Sequence, residues 1–537
     1  MTFPLNEQQQ AVVQWIKTGT GSLNLIARAG CGKTHALLHA GIRTIVEDDL
    51  GEVVFLVFNK SNADETKAKL AKMAQDDPRF ADWRKVQAST VHSAGFSTWR
   101  RVADKDVKVN EHKVRDLIDA LADAEGPDSV WAQCSSALCK AVSLAKQSAF
   151  GLLCGTGDEK AWYDLLEHHA VNELADGWTL DDLVPAGIAL LRTSLSMDRQ
   201  VIDFDDMILA PLVHKARFWP KDWVLLDEAQ DTNAARRALA LAILKPRTGR
   251  LIAVGDDRQA IYGFTGADSD ALDLIATELN SSTLPLTVTY RCPKAVVVEA
   301  NRLVPDLVAH ETAPEGTFRR VNITRLEVPA DDPNGEAVMV PWFIDEEPTS
   351  KNVVLCRNVK PLVEQAYMLI RNGVGCRVEG REIGTGLIKL ATRWKRVKTL
   401  SALSTKLEDY EAREVSKWQA KGREERAQAI EDRCQCIQEM INSLVAEGKT
   451  DLTDLVDFID SLFGDTKPGD IPNVLTLSTI HKSKGREWDT VYLLDRAGTL
   501  PSKWARKPWQ QRQEENLEYV AITRAKSELV DLIPSLT

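Results

Sequence analysis

The run A-R-A-G-C-G-K-T, from Ala27 to Thr34, sets two glycines, a lysine and a threonine directly after the apolar stretch Leu23 to Ala27. A loop of this kind, bent between a strand and the start of a helix, turns its backbone amides inward and cradles phosphate oxygens. Ala27, Ala29, Gly30, Cys31 and Gly32 supply that backbone. Lys33 reaches the terminal phosphates as a point charge, and the Thr34 hydroxyl is a ligand for Mg²⁺. Far downstream, V-L-L-D-E-A-Q-D from Val224 to Asp231 ends an apolar strand on two carboxylates. Asp227 is placed to hold the metal through water and Glu228 to orient an attacking water. A glycine-rich loop alone is compatible with a plain strand-to-helix turn. With the acidic partner in the same chain, the two runs describe a nucleotide-hydrolysing site.

The elements that position these residues follow from size and pattern. At 537 residues the chain exceeds one core, and a prior of about 150 residues per domain suggests three or four domains. With 44% apolar and 27% charged residues the composition is that of an ordinary globular protein. The start M-T-F-P-L-N-E-Q-Q-Q lacks a basic region followed by an apolar one, and no run approaches the roughly 18 apolar residues of a membrane span. The expectation is a cytoplasmic, unprocessed, monomeric protein without a membrane partner. Nine cysteines lie scattered without a C-x-x-C pair, which points to reduced thiols. Cys134 with Cys139, and Cys434 with Cys436, lack a second pair at metal-ligand spacing. The net charge of −11 does not exclude a nucleic-acid partner, because binding follows the local field.

Short β-rich runs (Val53 to Phe58, Val224 to Asp227, Leu251 to Val254, Val353 to Cys356, Val474 to Leu477, Val491 to Leu494) alternate with helical stretches, the pattern of parallel α/β sheets. Two stretches break it. Residues from about 92 to 200 are rich in Ala, Leu and charge and read as a helical insertion. Between about 386 and 470, Ala427, Ile430, Cys434, Ile437, Ile441 and Leu444 recur at spacings of three and four, a narrow helix seam. Leu400, Leu403, Leu407 and Tyr410 begin a similar seam, with Gly422 between the two, so a helical hairpin is expected and Cys434 belongs to its core. The pieces suggest two α/β cores, each interrupted by helices.

Further polar blocks follow apolar elements: A-V-G-D-D-R-Q-A-I-Y-G-F-T-G-A from Ala253, L-T-V-T-Y-R-C-P from Leu286, T-L-S-T-I-H-K-S-K-G-R-E-W from Thr476 and E-E-N-L-E-Y-V-A-I-T-R-A-K from Glu514. Gln259 is placed to sense a γ-phosphate or its attacking water. In order and wording these blocks resemble superfamily 1 helicases of the UvrD/Rep/PcrA type over nearly the whole chain. L-N-E-Q-Q is similar to that family's adenine-reading motif, with Gln9 at the glutamine position. Phe58, Asn59 and Lys60 stand in the next block, and Thr90 and His92 in the T-x-H block.

The resemblance implies two RecA-like cores with parallel sheets. The first takes residues 1–91 and 201–285 with a helical insertion at 92–200; the second takes 286–385 and 471–537 with a reduced insertion at 386–470. It implies ATP and Mg²⁺ as cofactors, Tyr290 stacked on adenine, His35 beside it, Glu487 near the ribose, and Arg291 and Arg524 reaching the γ-phosphate from the second core. Such an arginine is worth about 10³ to 10⁵ in rate. It implies single-stranded and tailed duplex DNA as partners and movement from 3′ to 5′. Aromatics at Phe58, Tyr262 and Phe264 would stack on bases; Asn59, Thr90, His92, Thr479, His481 and Lys484 would meet the nucleic acid. Taken singly, these aromatics read as core, the histidines as structural and Glu487 as a solvated carboxylate.

Two basic stretches, Lys389, Arg393, Trp394, Lys395, Arg396, Lys398 and Lys503, Trp504, Arg506, Lys507, Trp509, are either electrostatic treads or solvated faces. The chain also departs from the family pattern. His35 stands where many relatives carry an arginine, Thr265 replaces the arginine of G-W-R-G-A, and Arg28 and Cys31 occupy positions often filled by Gly and Ser. Backbone binding is expected to survive these changes, and Cys31 is expected to make ATP hydrolysis sensitive to thiol alkylation. The leading reading is an ATP-driven DNA translocase and helicase. An ATP-gated switch that remodels a partner with little unwinding, or a translocase on RNA, would carry the same hydrolytic residues.

Overall fold

The computed structural model describes residues 5–534 apart from 104–105, 170, 172–173, 176, 197–199, 264–265, 267–269, 328–337, 373, 421–423, 464–473 and 504. The chain divides into two compact units after Thr287.

In the first unit β1 (Leu23–Ala27), β2 (Val53–Val57), β3 (Val86–Thr90), β4 (Trp223–Leu226), β5 (Arg250–Gly255) and β6 (Ser282–Leu286) form one sheet. The order is β3-β2-β4-β5-β1-β6 and every adjacent pair is parallel. The inner strands are continuous apolar runs because both faces are covered. Alternate residues of β2 serve opposite faces: Val53, Phe55 and Val57 pack with Ile16, Leu38 and Ile45, whereas Val54 and Leu56 pack with Leu209, Leu239 and Ile275. Pro285 is accommodated because β6 is an edge strand. The helix leaving the phosphate loop starts at Lys33, winds as a π-helix over Ala36–Ile42 and returns to α geometry at Arg43–Glu47.

Between β3 and β4 the helices Lys113–Glu125, Ser135–Gln147, Glu159–His168 and Leu180–Ser196 bury a core of their own around Ile118, Leu138, Trp162 and Leu191. A two-residue parallel pair, Lys108–Val109 with Val201–Ile202, joins the ends of this body. Beside it the buried Lys113 and Lys146 pair with Asp206 at 2.7 and 2.8 Å, and Lys146 also with Asp203 at 2.5 Å.

The second unit repeats the plan. β7 (Thr317–Asn322), β8 (Asn352–Cys356), β9 (Cys376–Val378), β10 (Leu475–Thr479), β11 (Trp488–Leu494) and β12 (Ala525–Ile533) are ordered β7-β12-β11-β8-β10-β9, all parallel. Val353 lies between Thr476 and Val491 at its centre. Helices Leu400–Ala420 and Glu424–Ala446 bury the seam read from the spacing: Leu400, Leu403, Leu407, Ala427, Ile430, Cys434, Ile437, Ile441 and Leu444 are all core. Gly422 lies outside the described residues. The fold is therefore α/β with two parallel sheets, as the alternation of runs predicts, consistent with the two RecA-like cores that the resemblance implies. Among the described residues no helix is long and apolar enough to cross a membrane.

Candidate nucleotide and nucleic-acid sites

In an open parallel sheet, ligands bind outside the carboxyl ends of the strands. In the first unit those ends carry the phosphate loop (β1), Phe58 and Asn59 (β2), Thr90 (β3), Asp227 and Glu228 (β4) and Asp256 (β5). Gly30 and Gly32 turn the loop with φ of 70° and 78°, a region that disfavours any L side chain. Gln9 is buried and caps its own helix: its N–H donates to Asn6 Oδ1 at 2.8 Å and its Oε1 accepts from Asn6 N at 3.2 Å. Its Nε2 lies so near the loop that a Cβ on Gly32 would meet it at 3.6 Å.

Lys33 Nζ donates to Glu228 Oε2 at 2.7 Å. Burial works against the ammonium, but Glu228, Asp227 and Asp256 outweigh it and hold the pKa above the ordinary lysine value. Burial, then the charge of Glu228, pushes the Asp227 carboxyl up to about 7, with Lys33 pulling the other way. Glu228 sits at φ 50°, a local strain, and accepts from Gln230 Nε2 at 2.6 Å. Gln230 Oε1 in turn accepts from Asp256 N at 3.1 Å. Asp256 is fully buried and accepts from Gln259 Nε2 at 2.7 Å and from Arg28 Nη1 at 3.0 Å. The same Arg28 nitrogen reaches Asp257 Oδ1 at 2.6 Å. One polar chain thus runs from Lys33 through Glu228, Gln230 and Asp256 to Gln259 and Arg28. Sequence reading flagged Arg28 as unusual but did not find its partners, and it passed over Gln230 and Asp256.

The His35 ring stands 4.5 Å from that of His39, and burial followed by the Lys69 charge lowers the His35 pKa. Cys31 requires a correction. It is 2% exposed and belongs to the apolar core beneath the loop, so an alkylating reagent has no open path to its sulfur.

On the same edge, Phe58 and Tyr262 are parallel within 5° with centroids 6.3 Å apart. The Arg236 guanidinium lies 4.6 Å from the Phe58 ring and donates to Asp231 O at 3.2 Å. Burial, then Arg236, pushes the His92 pKa down to about 4, so this imidazole is neutral at pH 7 and offers one N–H, not a charge. Asn59 accepts from Asn62 N at 2.8 Å, and Thr90 Oγ1 accepts from Ser93 N at 3.0 Å, so both serve as helix caps. Arg236 was missed in the sequence; its signal is the A-A-R-R run after the helix cap Asn233. Phe204 was missed as well. It is half exposed between Asp203 and Asp205, and the Asp205 charge acts on Arg236. Phe264 and Thr265 lie outside the described residues.

The second unit gathers its residues at two opposite edges. Before β11 and β12, Arg291 Nε donates to Glu487 Oε2 at 2.6 Å and its Nη1 to Thr523 O at 3.2 Å. Arg524 is 1% exposed, donating from Nε to Val520 O at 2.9 Å and from Nη1 to Arg486 O at 3.2 Å. Tyr290 is 48% exposed, its ring 4.7 Å from His310. At and past the ends of β8 and β10 stand Arg357, Thr479, His481 and Lys484. Arg357 is bidentate on the buried Glu514, at 2.8 to 3.1 Å. Burial, then Arg357 and Lys484, pushes His481 down to about 3. Of the basic stretches, Trp394 packs edge-on to Tyr410 while Lys389, Arg393 and Lys395 border solvent; Trp504 lies outside the described residues.

Among the described residues no group of three or more His, Cys, Asp or Glu is arranged to hold a metal. One hydroxyl, Thr34, and one carboxylate, Asp227, fit Mg²⁺, which binds through one or two protein oxygens and keeps waters or phosphate for the rest.

Comparison with known proteins places this geometry. The chain is 27% identical over 317 residues to the ATP-dependent DNA helicase PcrA of Bacillus subtilis, covering 56% of this chain and 39% of that protein. It is 25% identical over 340 residues to the PcrA of Staphylococcus aureus NCTC 8325, with 59% and 42% covered. With a probable DNA helicase II homolog of Mycoplasma pneumoniae it shares 23% over 342 residues, covering 60% and 46%. The chain thus spans less than half the length of these relatives. The family model of the UvrD/REP helicase N-terminal domain matches residues 5–280, and that of the UvrD-like helicase C-terminal domain matches 275–532. With its phosphate loop, acidic strand end and paired aromatics lying within the N-terminal match, and the two matches together covering residues 5–532, the chain belongs to the UvrD/REP helicase family.

Proposed function

We propose that the chain is an ATP hydrolase that moves along single-stranded DNA and unwinds duplex with 3′ to 5′ polarity. One observation carries this reading: the Lys33–Glu228–Gln230–Asp256 network and the Phe58–Tyr262–Arg236 cluster share one edge of one sheet. Hydrolysis and strand contact are then mechanically linked through the ends of β1 to β5. The relatives' designation as ATP-dependent DNA helicases supports the same reading.

With ATP seated on the phosphate loop, Lys33 turns from Glu228 to the terminal phosphate, and the released Glu228 carboxylate orients the attacking water. Thr34 and Asp227 would hold Mg²⁺, which supplies positive charge to the phosphates. Gln259, anchored on Asp256, senses the γ-phosphate. The first core is proposed as 1–91 with 201–285 and the second as 286–385 with 471–537, and Arg291 and Arg524 of the second are assigned the role of supplying positive charge to the γ-phosphate. In that role Arg291 exchanges Glu487, and Arg524 its carbonyl partners, for phosphate oxygen. Gln9, His35, Tyr290 and Glu487 hold the base and ribose. Phe58 and Tyr262, already parallel near the outer limit of about 7 Å for ring contact, part to take a base. Arg236, Phe204, His92, His481 and Lys484 line the strand, and Asn59, Thr90 and Thr479 shape the turns that carry them.

The test is a pair of assays on the parent chain, Lys33→Ala and Glu228→Gln: ATP turnover with and without single strands, and displacement from duplexes with tails of either polarity. Displacement only from 3′-tailed duplexes, with turnover abolished in both variants, is expected. Turnover without displacement would instead indicate an ATP-gated switch, and substantial turnover in the variants would refute the assignments.

A further inference from the structure

At the other edge of the first sheet lies a cluster that the mechanism does not use. Trp83, three residues before β3, and Trp219, four before β4, are 57% and 56% exposed, with ring centroids 6.3 Å apart and planes tilted by 34°. A pair of tryptophans this exposed is unusual, since the residue is strongly buried on average. The Arg84 guanidinium lies 5.7 Å from the Trp83 ring and that of Arg101 lies 4.7 Å from the Trp219 ring. Arg101 also donates to Arg217 O at 2.9 Å, which brings a third exposed arginine into the patch.

The charge is what gives the patch direction. Three lysines on this edge are matched: Lys85 with Asp49, Lys221 with Glu52, Lys245 with Asp222. Among the described residues Arg84, Arg101 and Arg217 have no ion-pair partner, in a chain whose net charge is −11. The nearest carboxylate in sequence, Asp82, accepts from the Arg84 backbone N–H at 3.0 Å. Two flat indole faces interleaved with three unmatched guanidiniums match a polymer that alternates flat rings with anions. Bases stack on indoles at about 1 to 3 kcal/mol each, and arginine meets phosphate. An acidic peptide offers the anions without the rings.

We infer that Trp83, Trp219, Arg84, Arg101 and Arg217 form a second contact for single-stranded nucleic acid, separate from the track at Phe58 and Tyr262. The separation follows from the fold. β3 carries five residues, about 16 Å, from the patch side to Thr90, and the helix Val91–Ala103 returns from Thr90 to deliver Arg101. A strand in the track therefore cannot hold the same nucleotide at both places. The patch takes a displaced or trailing segment. The partner class rests on the proposed function; the site itself does not depend on hydrolysis.

The experiment is photocrosslinking of a long thymidine-rich strand carrying 5-iododeoxyuridine to the full chain without ATP, mapped by mass spectrometry. Crosslinks at both the Phe58–Tyr262 pair and the Trp83–Trp219 pair are expected. In parallel, Arg84→Gln/Arg101→Gln/Arg217→Gln should bind this strand with a log–log salt slope smaller by about 2, since each phosphate that is no longer neutralised takes about 0.7 from it. Saturating ATP turnover with an oligonucleotide too short to reach both sites should be unchanged. Crosslinks at Phe58 or Tyr262 alone, with an unchanged salt slope, overturn the second site and leave the proposed function standing. Crosslinks at the tryptophans alone support the second site and remove the proposed track. Loss of binding to a poly-glutamate peptide in the triple variant, with strand binding intact, makes the patch a protein-binding surface and overturns the inference.

Discussion

Replacing Arg28 by alanine probes the connection between the phosphate loop and the segment after β5. Arg28 is 12% exposed at its side chain, Asp256 is fully buried and Asp257 is 45% exposed. The pair with Asp257 is worth at most about 1 kcal/mol, because solvent screens it. Removing the partner of the buried Asp256 is different. Deleting one member of a buried pair costs about 3 to 5 kcal/mol, since the remaining charge is left in low dielectric. Burial raises the Asp256 pKa, while Gln259 at 2.7 Å and the Lys33 charge oppose it and still support the carboxylate, which argues for the lower end, about 3 kcal/mol. At about 2 °C per kcal/mol for a unit of this size, the unfolding transition of the first unit should fall by about 6 °C. The double variant Arg28→Ala/Asp256→Asn should recover most of that loss, because the carboxylate that lost its partner is gone. Scanning calorimetry of the four members of this cycle gives the coupling directly. An Arg28→Ala transition within about 1 °C of the parent, or a double variant no more stable than Arg28→Ala, would refute the argument that Asp256 is ionised and held by Arg28.

Three other expectations can be checked. His92 and His481, held at about 4 and about 3, stay neutral in the fold while the unfolded chain takes up protons below its value of about 6.5; stability is therefore present at neutral pH and is lost as pH falls from about 6.5 toward 4, by up to about 1.4 kcal/mol per pH unit for each. Denaturant titrations from pH 7 to 5 should show His92→Gln flattening this slope, and an unchanged slope would count against burial as the cause. Cys31 should react with iodoacetamide far more slowly than the partly exposed Cys139, measured by peptide mapping of the native chain; equal rates would contradict its burial. Ile437→Ala, at a fully buried point of the helix seam, should cost about 2 to 5 kcal/mol in the second unit, read by chemical denaturation.

Much of the site was legible because its signals are local. The phosphate loop, the carboxylates after β4 and the polar run after β5 each announce themselves within a few residues of a strand end, and strand alternation fixes the edge on which they gather. The helix seam at Leu400 to Leu444 was legible for the same reason, as its periodicity is a property of one segment. What escaped depends on contacts between segments far apart in the chain. Arg28 finds Asp256 only because β1 and β5 are neighbours in the sheet, and Arg236 meets Phe58 only because its helix starts beside the end of β2. Burial was misjudged at Cys31 because a loop residue was assumed to face solvent, whereas this side chain turns under the loop into the core. Trp83 and Trp219 carried no pattern at all; each precedes a strand, and only the adjacency of β3, β2 and β4 brings the rings together.

The short strand pair Lys108–Val109 with Val201–Ile202 has an entropic consequence. Lys108 N donates to Gln200 O at 2.6 Å and Asn110 N to Ile202 O at 2.8 Å, so the chain leaves and re-enters at one strand spacing, about 4.8 Å. To the first sheet the helical body between them is a crossover whose two ends are held together as a parallel pair. Its ordering is met by its own apolar core and adds nothing to the closure of the sheet. Buried charge also crosses the stem: without Lys113 and Lys146, Asp203 and Asp206 would be left as buried acids. Evolution could lengthen, shorten or exchange this body freely, provided that those two cations, or neutral replacements for the acids, travelled with the change.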